Sequence, residues 1–313
     1  MLYENILWQI LNRITRIVFF SVIFLSASGA YCQIEITLRK SFVDSLKNRV
    51  TINAAFEIAH AHKYANPASS DGDMHVAGIV AGVGLPVVAE VMNAKYQGSA
   101  VDLIHEKEGT GTTVRLAGVW RLWCEHAARG EFQSQGGEIT IVNSNPAHVF
   151  EIHPVLTLND IDLTGSLVPI TGFKYKTADD AFARYSNTSC GIEDSGDKIK
   201  ITTKGVGYNY AEFWIRITDD SQFVVADGRF VFCAVLNQGQ QPVCNKMRMA
   251  FPKGSQAEQQ VAKLKKGAIM HVAGIPRIDL ALVSYRIKHG REKPEMLQWN
   301  LPVEMIIVAV MEQ

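Results

Sequence analysis

The chain has 313 residues, 47% of them hydrophobic and 20% charged, with 31 Lys+Arg against 31 Asp+Glu. That is ordinary globular material, long enough for two cores, which excludes a low-complexity segment and a membrane bundle. A zero net charge also argues against a dedicated nucleic-acid binder, which is basic overall. The balance is uneven along the chain. Residues 33–165 carry 10 Lys+Arg against 15 Asp+Glu, and residues 166–313 carry 19 against 15. Such asymmetry predicts either mutual docking of the halves or different surfaces for different partners.

Residues 1–32 read as a secretory signal peptide. Arg13 and Arg16 precede the apolar run Ile17–Leu25, and small residues lead to an Ala30-x-Cys32 site before Gln33. The run is short for a bilayer span, so the mature chain is expected to be exported, periplasmic or extracellular, without a transmembrane segment; an uncleaved anchor is the alternative, since Met1–Ile10 is itself apolar. Residues 33–50 form a connector with no assigned role. Thr51–Lys63, Met74–Val80 and Val87–Met92 read as three strands, separated by a loop carrying Asp71-Gly72 and a turn at Gly82–Pro86. A helix is predicted over Ala100–Glu108 with Ser99 as its N-cap. Thr113–Trp123 is a fourth strand with Gly118 at a bend, and His148–Leu158 a fifth, after the long excursion Cys124–Asn145.

The shape then recurs. With no gap, 14 of 69 positions between Asn53 and Arg121 are identical to those 156 positions later, among them Asp71-Gly72/Asp227-Gly228, Gly118/Gly274 and Arg121/Arg277. These are mostly turn and cap residues, which repeat when a backbone repeats. The second copy reads as strands Tyr208–Thr218, Arg229–Leu236, Val243–Phe251, Ala268–Ile275 and Val303–Met311. Its helix is Ser255–Leu264, and Leu280–Ile287 is an extra strand-like stretch. Three strands, a helix and two strands is the order of an oligonucleotide/oligosaccharide-binding (OB) barrel. The fold class expected is mainly β: two tandem OB-fold-like five-stranded barrels, each with one helix between strands 3 and 4. They would occupy residues 51–160 and 207–313, joined by a linker and hairpin at 161–206.

Alternation sorts the side chains by face. In the second copy Phe230, Phe232, Ala234 and Leu236 are placed inward, with Arg229, Val231, Cys233 and Val235 outward. Met247, Met249 and Phe251 go in, leaving Cys244, Lys246 and Arg248 out. Phe213, Ile215 and Ile217 go in, leaving Tyr210, Trp214 and Arg216 out. Aromatics interleaved with Arg and Lys on an OB outer face suit a stacked ligand, so Tyr210, Trp214, Arg216, Arg229, Lys246 and Arg248 are candidate ligand contacts. Trp120, Arg121 and Trp123 join them, at the mouth of the long loop. The partners implied are an oligosaccharide, a strand of nucleic acid or an envelope protein. Burial of this face by the linker or the other barrel is the competing account, as is charge pairing between the two outer faces.

In the first copy Asp73, His75, Glu90 and His153 share the outer face, together with Glu151. Imidazoles and carboxylates on neighbouring strands suit a divalent metal, and a metal-bound water could hydrolyse a phosphodiester. The alternative to a binding role is therefore a metal-dependent phosphodiesterase; a solvated polar face is the plainer account, needing no cofactor. Cys124 beside His126 has the composition of a nucleophile and base. In an exported chain disulfides are the simpler use of four cysteines, Cys233 with Cys244 and Cys124 with Cys190.

Ser70-Asp71-Gly72-Asp73-Met74-His75 and Glu151-Ile152-His153-Pro154-Val155 resemble an S-D-G-D-x-H strand and an E-x-H-P-V strand shared by a set of exported, uncharacterised bacterial proteins. The resemblance covers about Thr51–Leu158 and implies an OB-like domain and export. The second copy departs from it, with Arg229 in place of Asp73 and Val231 in place of His75. The Asp-Gly-Asp turn is also similar to thermonuclease-type OB enzymes, whose arginine and glutamate set has no matching placement here.

Overall fold

A computed structural model describes residues 33–127 and 131–312, and the predicted signal peptide lies outside them. Residues 33–50 are not a bare connector: they form strand β1 (Ile34–Arg39) and helix α1 (Lys40–Leu46). Small and β-branched residues then favour pleated backbone. The strands β2 (Thr51–Ala61), β3 (Met74–Val80) and β4 (Val87–Val91) lead to helix α2 (Gly98–Lys107) and strand β5 (Thr113–Leu122). A short β6 (Phe132–Ser134) interrupts the long loop before β7 (Phe150–Leu158) and β8 (Ile161–Asp162). Strands β2, β3, β4, β7 and β5 pair in that order and close on themselves, with β4 and β7 parallel. This is the strand order of an OB barrel.

Between the copies lie β9 (Lys176–Thr177), α3 (Ala178–Ser186) and the hairpin β10 (Cys190–Ser195) and β11 (Lys198–Thr203). The hairpin pairs with β1 and, through it, with β6. The predicted hairpin is thus present, and the connector completes a small third sheet beside it. The second barrel comprises β12 (Ala211–Ile217), β14 (Gly228–Leu236), β15 (Pro242–Pro252), β16 (Ile269–Ile278) and β17 (Val303–Val310). The edge strand β13 (Phe223–Val225) pairs with β14, and the short α4 (Gln256–Val261) precedes β16. The closure β12–β14–β15–β17–β16 repeats that of the first barrel, with the parallel pair β15–β17.

The two bend glycines have like surroundings. Each sits beside a register shift in the fourth strand of its barrel. A Cβ on Gly118 would meet Pro154 O at 2.8 Å, and one on Gly274 would meet Ile306 O at 2.9 Å. Only a residue without a side chain lets the fifth strand approach so closely.

Three local expectations are corrected. Helix α2 begins at Gly98, so Gln97 and not Ser99 is its N-cap, whereas Ser255 caps α4 by accepting from Glu258 N at 3.1 Å. The strand-like 280–287 is helix α5 (Leu280–His289), started by Asp279, whose side chain accepts from Leu282 N at 2.9 Å. On β14 the faces are reversed. Val231, Cys233 and Val235 pack inside with Phe213, Ile215 and Met249, while Phe230 joins an apolar layer between the barrels and Phe232 is exposed.

That layer holds Val50, Met92 and Val119 from the first half against Tyr210, Phe230, Ile275 and Ile306 from the second. The outer faces are therefore packed together by apolar contact more than by charge pairing. Arg229 is held by Glu258 of its own barrel, and Arg248 by Glu304 and Asp279 of its own. At the centre the contacts are reciprocal. Arg121 Nε donates to Pro276 O at 2.8 Å, and Arg277 donates to Trp120 O at 2.8 Å while lying 3.6 Å over the Trp120 ring.

The four cysteines among the described residues are free, which corrects both predicted disulfides. Cys233 faces Met247 across the hairpin and Cys244 faces Val235, because a register shift separates the two positions. Burial pushes the Cys124 and Cys190 thiols up to about 12, so Cys124 is not a poised nucleophile. Unreduced, denatured protein lacking residues 1–32 is expected to titrate four thiols, and the same number after reduction.

Candidate metal centre

Period-two alternation turns Met74 and Val76 into the first barrel and His75 out, with Asp73 at the strand's entrance. Glu90 lies opposite His75 across the β3–β4 ladder, and Glu151 lies opposite both Val88 on β4 and Arg121 on β5. His153 follows two residues along β7. The predicted set Asp73, His75, Glu90 and His153 is thus brought together on one face. That face is not solvated: Asp73, Glu151 and His153 are 0% exposed and Glu90 is 1% exposed. Tyr210 of the second barrel covers one side, backed by the Phe173 and Tyr175 rings. The β5–β7 loop covers the other with Glu125, His126 and His148.

Hydrogen-bond geometry fixes which imidazole nitrogens carry protons. His148 Nδ1 is 2.7 Å from Pro146 O, which can only accept, so Nδ1–H donates. A neutral His148 ring then presents a lone pair at Nε2, 3.3 Å from the carboxylate oxygen Glu151 Oε1. On the other side Tyr210 donates its single proton to Asp73 Oδ2 at 2.6 Å. His153 Nε2, 2.8 Å from the same hydroxyl, must therefore donate to it. His153 Nδ1 is left 3.2 Å from Glu90 Oε2 and makes no hydrogen bond. Neither Glu90 oxygen has a hydrogen-bond partner either. Two acceptors facing one another in a buried site require a proton or a cation between them.

The ionisation of the group reflects this crowding. Burial alone would lower His153 and His75, yet the Glu90 carboxylate outweighs it and pushes them up to about 10 and about 9. Burial would raise Glu90, but the His153 and His75 charges hold it below the usual carboxylate range. Burial pushes Asp73 up to about 6 and Glu125 up to about 7. His126 is lowered by burial. Arg121, paired with Glu151, holds that carboxyl well down against its own desolvation.

Donor atoms fall into two groups. One ligand atom each from Glu90, His126, His148 and Glu151 lie within 4.8 Å of one another, as do atoms from Asp73, Glu90 and His153. Two imidazoles with two carboxylates is a donor set for zinc or manganese. His148 also shows the usual arrangement of a metal-bound imidazole, with its far N–H held by a carbonyl. His75 contributes by its 3.5 Å contact to Glu90 and belongs to neither group. The sequence reads His126 as a base beside Cys124 and His148 as the first residue of the fifth strand, but the strand begins at Phe150 and both histidines lie in the irregular loop before it. Glu151 was legible by alternation with His153.

No family model matches the chain, and no curated protein matches it. Among solved structures, a chain of a replication protein A heterotrimer bound to ssDNA is similar to it at 9% identity and a TM-score of 0.19. The match covers 73% of this chain and 45% of that one. At that score the likeness carries no argument, and the barrel assignment rests on the strand order itself.

The predicted ligand contacts are scattered. Trp120, Arg121 and Trp123 are 0% exposed and Tyr210 is 2% exposed, so these four are interior. Arg229 and Arg248 are spent in the ion pairs described above. Lys246 remains exposed over the Phe232 ring at 4.8 Å. Trp214 and Arg216 are half-buried, with Trp214 stacked on His271 at 4.2 Å and 3°. No helix among the described residues is long and apolar enough to cross a membrane.

Proposed function

We propose that the protein is an exported binding protein built around a divalent-metal site between its two OB barrels, with Glu90, His126, His148 and Glu151 as ligands. The observation that carries this is His148, whose Nδ1 proton is committed to Pro146 O while Nε2 faces a carboxylate 3.3 Å away. A divalent ion satisfies both lone pairs, and it also takes one of the two partnerless oxygens of Glu90. Elemental analysis of protein purified without chelator tests it, alongside melting with EDTA and with added zinc. Near-stoichiometric metal is expected. A ligand at ~1,000 times its Kd stabilises the folded state by ~4 kcal/mol, so EDTA should lower the melting temperature clearly. Metal-free protein whose melting ignores both EDTA and zinc would exclude the reading. A bound ion would also supply an activated water, so chelator-sensitive cleavage of a phosphodiester is the companion assay.

A second reading places a ligand on the second barrel. Trp214 and the coplanar His271 border a cleft of about 350 Å³ whose walls include Tyr175, Lys176, Asp179 and Glu212. Aromatic rings beside charged groups suit an oligosaccharide or a single strand of nucleic acid. Trp214→Ala is expected to weaken glycan or oligonucleotide binding by ~1–3 kcal/mol for each stacked ring lost. Binding unchanged in that variant removes this face from consideration.

A further inference from the structure

We infer that the centre is dinuclear: Glu90 bridges the ion at His126, His148 and Glu151 to a second ion held by Asp73 and His153. This rests on the metal-binding reading above, but its observations are separate. Asp73, Glu90 and His153 each place a ligand atom within 4.8 Å of the others, with Glu90 common to both groups. Asp73 Oδ1 and His153 Nδ1 are buried without a hydrogen-bond partner, as are both oxygens of Glu90. A carboxylate serving two ions uses one oxygen for each, which accounts for both being bare.

Tyr210 makes the second site. Its hydroxyl proton goes to Asp73 Oδ2, and its oxygen accepts from His153 Nε2. That double contact holds the imidazole in the tautomer whose Nδ1 lone pair points at Glu90, and it turns Asp73 Oδ1 toward the same space. Tyr210 belongs to the second barrel, so the second site is fully ordered only when the barrels are docked. It is a positioning residue, not a ligand. The charge on this face balances one divalent ion, so a second needs a bridging anion such as hydroxide. Asp73, Glu90 and Glu151 share one face with Arg121 as the permanent cation, the histidines being neutral when they ligate.

Manganese loading of the full mature chain, read by equilibrium dialysis and electron paramagnetic resonance, tests this. Two manganese ions per chain are expected, with an exchange-coupled signal. Asp73→Asn should bind one and give the uncoupled six-line spectrum. Tyr210→Phe should keep the first ion and weaken the second 10–100-fold, the loss usual when an outer partner of a ligand is removed. His148→Ala should spare the Asp73 site. One ion per chain in wild type, unchanged by Asp73→Asn, overturns the dinuclear centre and leaves the single site standing. No ion in any form overturns both. The wild-type stoichiometry needs no variant, so a variant that fails to fold leaves the test decisive.

Discussion

Arg277→Ala is expected to destabilise the folded chain by ~3–5 kcal/mol, the cost of breaking a buried ion pair and leaving buried carbonyls unsatisfied, although Arg248 still holds Glu304. Arg277 is 0% exposed, and its Nε donates to Glu304 at 2.7 Å. It also donates to the carbonyls of Trp120 at 2.8 Å and Val50 at 3.2 Å. With the Arg49 carbonyl at 3.4 Å, the variant strips four acceptors, three of them in the other half of the chain. Urea unfolding should show a lower midpoint and a loss of the single transition, because the barrels are no longer tied at the centre. Arg277→Lys keeps the charge but not the fork, so it should recover part of the loss only. The control is Arg115→Ala. Its partner Asp160 is exposed, and the change should stay within ~0.5 kcal/mol. A midpoint for Arg277→Ala equal to that of Arg115→Ala would count against this account.

Metal-stripped protein is expected to lose stability as pH rises from 6.5 toward 10. His153 and His75 titrate at 6.5 when unperturbed and are pushed up to about 10 and about 9 in the fold. A raised folded value means the folded state binds the proton more tightly. Its contribution is complete below 6.5 and disappears as pH passes through about 9 and then about 10. Asp73, raised from 3.8 to about 6, acts in the same sense at lower pH. Glu90, lowered from 4.5, acts oppositely: its share is present above 4.5 and lost on further acidification. Each tenfold gain in proton affinity on folding corresponds to ~1.4 kcal/mol, so the alkaline loss amounts to several kcal/mol. Metal-loaded protein should behave differently, because the ion replaces those protons and competes best when they are scarce. The gap in melting temperature between zinc-loaded and EDTA-treated samples should widen from pH 6 to 9. A gap that narrows would mean that protons, not a metal, hold the cluster.

The barrels were legible because a turn or a close backbone approach constrains residue choice locally. Gly111 and Gly267 both adopt left-handed φ, at 71° and 87°, before the fourth strand of their barrels. Alternation placed Asp73, His75, Glu90 and His153 on one face because β3, β4 and β7 each carry a plain apolar row on the other. It failed on β14, where both faces are apolar. Phe230 and Phe232 have the composition of core residues. The interior instead takes the smaller Val231, Cys233 and Val235, while the second barrel's outer face is itself buried against the first. For the same reason Trp120, Trp123 and Tyr210 resemble ligand contacts in sequence: a docked surface and a binding surface share a composition. Helix α5 is hidden because Leu280–Ile287 is apolar enough to pass for a strand, and the one signal that marks it is Asp279 as its cap. His126 and His148 lie in a loop whose path no period describes, and only the folded chain brings them to Glu90.

The crossed bonds of Arg121 and Arg277 have a consequence for symmetry. Arg121 reaches the carbonyl just before Arg277, and Arg277 reaches the carbonyl just before Arg121. Position i meeting j while j meets i is the rule of an isologous contact, the kind that relates the subunits of a two-fold homodimer. The molecule thus holds, within one polypeptide, the reciprocal contact geometry that a two-fold homodimer has between its subunits. The two copies differ in use: the first carries the histidines and acids, and the second supplies Tyr210 as a lid over them.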